Sequence, residues 1–313
     1  MQRNSPLAGI LVALCGFAVF ATHDAIIKHL GASYSVFQII FFAGLFALIP
    51  MTFIMGADRR EDTFRPNNPL WVAGRVVSGL IAMASAFYAF SVLPMTEVYA
   101  ILFTTPLLVT ALSVPILGET VGKWRWMAVV MGLIGVVVVL RPGSSDLTFG
   151  HATALIGALA NAFSALITRK IGPQERPVVM VLFPMLGTLI VMACLQPAVY
   201  QPPTLTALAL MAVVGLFSVT GQLASVFAYS RAPAAMIAPL QYSQIIWATI
   251  FGLLFFDETP DKWVAIGTAI IIASGLFALF RERVGISRVK PVSQSRNMRS
   301  FSGPAFFRYN RDK

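Results

Sequence analysis

Apolar residues in this chain gather into ten long runs, separated by short polar stretches. Five lie in the first half: Leu7–Leu30, Tyr34–Met55, Pro69–Val92, Thr96–Leu117 and Trp124–Leu140. Five follow in the second: Phe149–Ile171, Val178–Tyr200, Leu205–Ser230, Ala235–Phe256 and Lys262–Phe280. Each is close to the ~20 residues that a helix needs to cross the hydrocarbon core. The pattern predicts an all-α membrane protein of ten transmembrane helices. Connections are short and carry the Pro, Gly, Asp and Asn of turns; the longest is Gly56–Asn68, and Arg141–Thr148 joins the halves. The run from Leu7 to Ala21 follows Arg3 as a signal peptide would, but nine further runs and its place in a repeat make it the first helix.

The repeat shows at the ends of the runs. Tyr88-Ala89-Phe90-Ser91-Val92-Leu93-Pro94 returns as Phe227-Ala228-Tyr229-Ser230-Arg231-Ala232-Pro233. Gly118-Glu119-Thr120 returns as Asp257-Glu258-Thr259, and Lys123-Trp124 as Lys262-Trp263, every pair 139 positions apart. Such self-similarity outranks other signals of architecture. It divides the chain into a first unit at 1–145, a second at 146–283 and a basic tail at 284–313, expected to be disordered. Five spans per unit is an odd number, so the second unit inserts inverted. Inverted repeats are the usual construction of secondary transporters, with the substrate near the midplane between them.

Composition agrees, with 57% hydrophobic and 12% charged residues against roughly a quarter charged in soluble domains. The net charge of +10 does not indicate nucleic acid, because seven Lys/Arg and one Asp fall after Arg283 and the rest lie mostly in short loops. With a cytoplasmic N-terminus, inner segments hold 19 Lys/Arg and outer segments three: Lys28, Arg141 and Lys262. Both termini are therefore expected inside. The tail reads as a positive-inside anchor with weak attraction to anionic lipid. Cys15 and Cys194 fall inside apolar runs and read as packing residues rather than a disulfide or redox pair.

The combination Leu93-Pro94, Thr105-Pro106-Leu107, Gly118-Glu119 and Gly132-Leu133-Ile134-Gly135-Val136 resembles the EamA type of drug/metabolite transporter, from Leu7 to about Arg283. The second half keeps Pro233, Asp257-Glu258 and Ser274-Gly275 but has Gln244-Ile245 in place of Thr105-Pro106. The resemblance implies a cavity among spans one, three, four, six, eight and nine, a bacterial inner-membrane location and no cofactor. Some members of that superfamily import riboflavin.

Ionisable residues at membrane depth suggest function. His23 and Asp24 lie in the outer third of span one. Asp24 and Lys28, spaced i, i+4, are able to pair on one face. Glu97 opens span four, where a helix N-terminus favours a carboxylate. His23, Asp24 and Glu97 are candidates for proton coupling; Glu119 and Glu258 read as gating elements at opposite faces. Arg75, near the inner surface, reads as a snorkelling anchor.

The candidate substrate contacts are Tyr99, Phe103 and Thr104 on span four, Asn161 on span six, Gln222 and Tyr229 on span eight, and Gln241, Tyr242 and Gln244 on span nine. Gln241, Gln244 and Ala248 share one helix face, as do Gln222, Ser225 and Tyr229. Interhelical hydrogen bonding is the competing role for the glutamines. Pro106 frees a carbonyl in mid-helix, tolerable only where neighbours or cavity water satisfy it. With no deep basic clamp for an anion, aromatic faces and amides suit a neutral or zwitterionic molecule with a flat ring. Riboflavin uptake is the specific expectation, and export of amino acids or other small polar metabolites the alternative. Expected partners are that small molecule and membrane lipid, with a homodimer left open. A membrane enzyme is remote: there is no His-rich metal cluster, Gly-x-Ser-x-Gly, Walker loop or paired midplane carboxylates.

Overall fold

The structure, a computed structural model, describes residues 6–56, 65–142, 147–232, 234–259 and 261–283. Arg3, Arg59, Arg60, Pro233 and the tail from Val284 lie outside them. The described residues form α-helices and one 3-10 turn, with no strand. The helices are α1 (Pro6–Gly31), α2 (Val36–Gly56), α3 (Pro69–Val92), α4 (Met95–Leu102), α5 (Thr105–Leu117) and α6 (Lys123–Leu140). They continue as α7 (Phe149–Ile171), α8 (Pro177–Val199), α9 (Leu205–Arg231), α10 (Ala234–Ile237), the 3-10 turn Ala238–Tyr242, α11 (Ser243–Phe255) and α12 (Lys262–Arg283). Among the described residues eight stretches are long and apolar enough to cross a membrane, with α4 and α5 together forming one, Met95–Leu117; α12 supplies a shorter apolar piece, Lys262–Ala278. Large apolar side chains such as Phe53, Leu70 and Leu254 are exposed, as suits a surface whose solvent is lipid.

Two predicted spans are not continuous helices. Span four breaks between Leu102 and Thr105, and span nine is α10, the 3-10 turn and α11 in succession. In the first break Pro106 has no N–H to offer the Leu102 carbonyl. The Thr105 hydroxyl donates to it instead at 2.7 Å, and Thr104 donates to Ile101 O at 2.7 Å. The second break has no proline at the matching position. Pro239, inside the 3-10 turn, interrupts the ladder there.

The repeated Gly118-Glu119 and Asp257-Glu258 have one structural cause. Gly118 at φ 68° and Asp257 at φ 52° both take the left-handed conformation that ends a helix. Asp is among the few side chains that tolerate it. The following glutamates then donate equivalent backbone bonds, Glu119 N to Ser113 O at 3.4 Å and Glu258 N to Gly252 O at 2.9 Å.

Helix α1 lies along α9, α3 along α7 and α6 along α12. Small residues permit the approach: a Cβ at Gly16 would sit 2.9 Å from Ala224 Cβ, and one at Gly157 3.3 Å from Ser85 Cβ. Around Lys28, at the end of α1, the core is one large cluster drawing on α1, α2, α3, α4, α6, α7, α8, α9, α11 and α12. At the other end it divides. Ala13, Phe17, Ala228, Ala232 and Ile237 form one cluster, and Val72, Ile167, Ile171, Val179 and Met180 another.

Candidate functional site

The two breaks face each other. Phe103, which caps α4, stands edge-on to Tyr242 of the 3-10 turn, ring centres 5.0 Å apart. A series of rings leads back from there: Phe103 to Tyr99 at 5.7 Å, and Tyr99 to Phe90 at 5.2 Å. The buried Tyr99 hydroxyl donates to Asp24 Oδ2, while His23 Nδ1 lies 2.8 Å from Asp24 Oδ1. His23 in turn meets the edge of Phe87 at 5.7 Å. The sequence candidates Tyr99, Phe103, Tyr242, His23 and Asp24 are thus one connected group.

Further polar side chains lie next to Tyr242 in sequence. Ser243 Oγ is buried without a hydrogen-bond partner. Gln244 is buried and Gln241 half-buried. The Tyr242 hydroxyl closes on Gly275 of α12, where a side chain would collide with it. Thr104 is buried, but its hydroxyl serves the break of its own helix. Asn161, Gln222 and Tyr229 are exposed, and among the described residues no hydrogen bond or ring contact ties them to the group.

The expected Asp24–Lys28 pair does not form. Lys28 Nζ reaches across the bundle to Glu258 Oε1 at 2.6 Å and donates to Leu93 O at 2.5 Å, over the Phe256 ring at 5.3 Å. Glu258 Oε2 also accepts from Met95 N at 3.1 Å. One lysine and one glutamate therefore fasten α1, the α3–α4 turn and the α11–α12 link. At the opposite end Arg169 forks onto both oxygens of Glu119, joining α7 to the α5–α6 link. Lys170 lies 4.0 Å above the Trp71 ring.

Glu97 sits in the first turn of α4, as expected, and also meets His151 Nε2 at 3.2 Å. The sequence reading overlooked His151, which caps α7 with Thr148; its place at the start of span six, on the same side as Glu97, was the available signal. Arg75 does not snorkel. Its Nε donates to Met180 O at 2.9 Å, and its Nη1 binds Ser164 and Thr168, so it clamps α3, α7 and α8 together. Cys15 and Cys194 are unpaired and exposed on the outer surface rather than packed. No group of three or more His, Cys, Asp or Glu suited to a metal occurs among the described residues.

Known proteins place this geometry in context. The profile of the EamA-like transporter family matches twice, at residues 7–141 and 148–280. A Rickettsia felis protein named S-adenosylmethionine uptake transporter is 28% identical over 288 residues, 90% of this chain and 96% of that one. A riboflavin transporter of Rhizobium johnstonii is 28% identical over 214 residues, 66% of this chain and 69% of that one. One solved crystal structure superimposes with a TM-score of 0.57 at 18% identity, covering 91% of this chain and all of the other; it speaks to the fold alone.

Proposed function

Because this chain belongs to the EamA-like transporter family, we propose that it moves a small metabolite with a positive centre and a flat ring, S-adenosylmethionine being the best specific assignment. The chain is a multi-pass membrane transporter and not an enzyme, and its partner is a small molecule. The observation that carries the substrate reading is Asp24. It is a carboxylate well inside the bundle whose hydrogen-bond partners are an imidazole and a phenol, neither permanently charged. Lys28, the cation one turn away, is engaged elsewhere. A largely buried carboxylate without a fixed counter-charge is costly, and a cationic substrate supplies one. The rings of Tyr99, Phe103 and Tyr242 attract a positive centre through their faces and stack on an aromatic base, with Ser243, Gln241 and Gln244 as polar contacts.

Transport by alternating access between two inverted halves, 1–145 and 146–283, is the accompanying proposal. Support comes from the double family match and from helix pairs that recur with the halves exchanged, α1·α9 with α3·α7 and α2·α9 with α3·α8. The charge count supports placing the Arg169 end and both termini in the cytoplasm, in a bacterial inner membrane. Riboflavin is the second reading. It has a relative of that name over two thirds of the chain and a flat ring for the same aromatic group, but no positive centre for Asp24.

Purified protein in liposomes decides between them. Labelled S-adenosylmethionine is expected to enter in exchange for internal S-adenosylmethionine, without ATP, and Asp24→Asn is expected to reduce that exchange at least about tenfold, the loss of one charge-assisted contact of ~1.4 kcal/mol or more. Exchange of riboflavin alone would transfer the assignment to the vitamin. No exchange of either compound would end both substrate readings.

A further inference from the structure

The two ends of the bundle are made of equivalent residues and are closed to different degrees. Adding 141 to a residue of α1 gives its counterpart in α7: Gly9 with Gly150, Ala13 with Ala154, Gly16 with Gly157, Lys28 with Arg169, Gly31 with Gly172. Adding 139 to a residue of α3 or α4 gives its counterpart in α9 or α10: Ser91 with Ser230, Leu93 with Ala232, Met95 with Ala234. These two offsets relate contacts that are present. Gly9 lies against Ala232 as Gly150 lies against Leu93, and Gly16 against Ala224 as Gly157 against Ser85.

Three contacts at the Lys28 end break the correspondence. Gly31 is so near Ser91 that a Cβ there would overlap the Ser91 Cβ, whereas a Cβ at Gly172 would meet no atom of α9 within 4 Å, and Ser230 is exposed. Lys28 donates to Leu93 O, but the bonds of Arg169 to Glu119 include none to the matching Ala232 O. Glu258 accepts from Met95 N, whereas both oxygens of Glu119 are held by Arg169. The chain has kept the parts for the missing contacts. Gly172 and Ser230 repeat the small pair Gly31 and Ser91. Both serine hydroxyls fold back onto their own helices, to Tyr88 O and Phe227 O at 2.7 Å each, and leave a smooth surface for the facing glycine. A guanidinium has five N–H donors, and its two bonds to Glu119 leave others for a carbonyl.

We propose that the end of α9 is a latch, and that in the alternate state it docks on Arg169 and Glu119 with three contacts that reproduce those now made at the Lys28 end. Arg169 takes the Ala232 carbonyl, Glu119 takes the Ala234 N–H, and Ser230 seats on Gly172. The Lys28–Glu258–Met95 set opens as this one closes, because the divided core at the Arg169 end can come together only if the single core at the other end parts. The latch rests on the inverted-repeat reading above and is independent of which substrate is carried.

Thiol labelling without substrate tests it, so failure of the substrate assignment leaves the result meaningful. In a chain carrying Cys15→Ser and Cys194→Ser, Ser91→Cys and Ser230→Cys are labelled separately with a water-soluble maleimide. With the native ends, Ser230→Cys is expected to react and Ser91→Cys to be protected. Glu258→Gln is expected to reverse this, raising the Ser91→Cys rate and lowering the Ser230→Cys rate by about tenfold each, within the usual range of conformational coupling. Lys28→Met is the second route to the same reversal and guards against a folding defect in one variant. Adding Glu119→Ala to Glu258→Gln is expected to restore labelling of Ser230→Cys. Faster labelling at both sites, or a Ser230→Cys rate indifferent to Glu258→Gln and Lys28→Met, overturns the latch. So does protection of Ser230→Cys that survives Glu119→Ala.

Discussion

Lys28 at one end of the bundle and Arg169 at the other each pair with a glutamate that follows a left-handed helix stop, yet the two ends are held differently. The Lys28 ammonium is a point charge whose donors radiate, and it touches two elements at once: Glu258 and the Leu93 carbonyl. The Arg169 guanidinium is a planar fork, and both of its tines close on one carboxylate. Gly31 packs directly on Ser91 at the first end, while the equivalent Gly172 and Ser230 are apart at the second. The comparison teaches that matching sequence markers specify matching parts without requiring that both sets be assembled together. A transporter needs that property, since a bundle sealed equally at both ends has no path.

The largest predicted effect sets the glutamates against each other. Glu258→Ala removes the partner of a lysine whose side chain is only 12% exposed, and also the acceptor for Met95 N. Stranding a buried charge costs about 3–5 kcal/mol, so the unfolding midpoint in detergent should fall sharply. Glu119→Ala frees a guanidinium that is 16% exposed but fastens only two elements, and about 1.5–3 kcal/mol is expected from the lost charged hydrogen bonds. Equal losses would break the comparison. Next in size is Ser91→Val against Ser230→Val. The first adds methyl groups where Gly31 already touches, an overpacking cost of about 1–3 kcal/mol. The second changes an exposed position and should stay within about 0.5 kcal/mol. A similar cost at Ser230 would mean that the end of α9 is already docked.

Much of this architecture was legible in the chain. The apolar runs fall on the helices, eight of them long enough to cross a membrane among the described residues, and the markers 139 apart, Gly118-Glu119 and Asp257-Glu258, correspond to two left-handed stops and two equivalent backbone bonds. The partner of Lys28 was not legible. Spacing i, i+4 permits a bond to Asp24, but whether it forms depends on which distant residue arrives, and Glu258 arrives from 230 positions away. Helical spacing likewise put Gln222, Ser225 and Tyr229 on one face without saying whether that face turns inward, and Gln222 and Tyr229 are exposed. The second break was not legible from the missing Thr-Pro, because Pro239, six residues earlier than the matching position, interrupts that helix. Tyr99, Phe103 and Tyr242 did come together, because both breaks lie at equivalent depths in the two runs.

The smallest predicted effect asks whether the ties at the Lys28 end act singly or as a set. Besides Lys28–Glu258, that end has His151–Glu97 at 3.2 Å and the Arg141–Asp261 pair. Neither involves the closely packed Gly31. His151→Gln keeps the reciprocal cap with Thr148, since an amide at the third helical position accepts the same role. A glutamine busy with that cap does not also hold Glu97. The tie that is lost involves a histidine with no permanent charge and is a single hydrogen bond, so it should cost about 0.5–1.5 kcal/mol, read as a small drop in the thermal midpoint. Labelling of Ser91→Cys should not change, because the lysine set alone keeps α1 on the α3–α4 turn. If His151→Gln exposes Ser91→Cys, closure at this end belongs to the whole network, and the contrast between one three-way fastening and one two-way fastening is too simple.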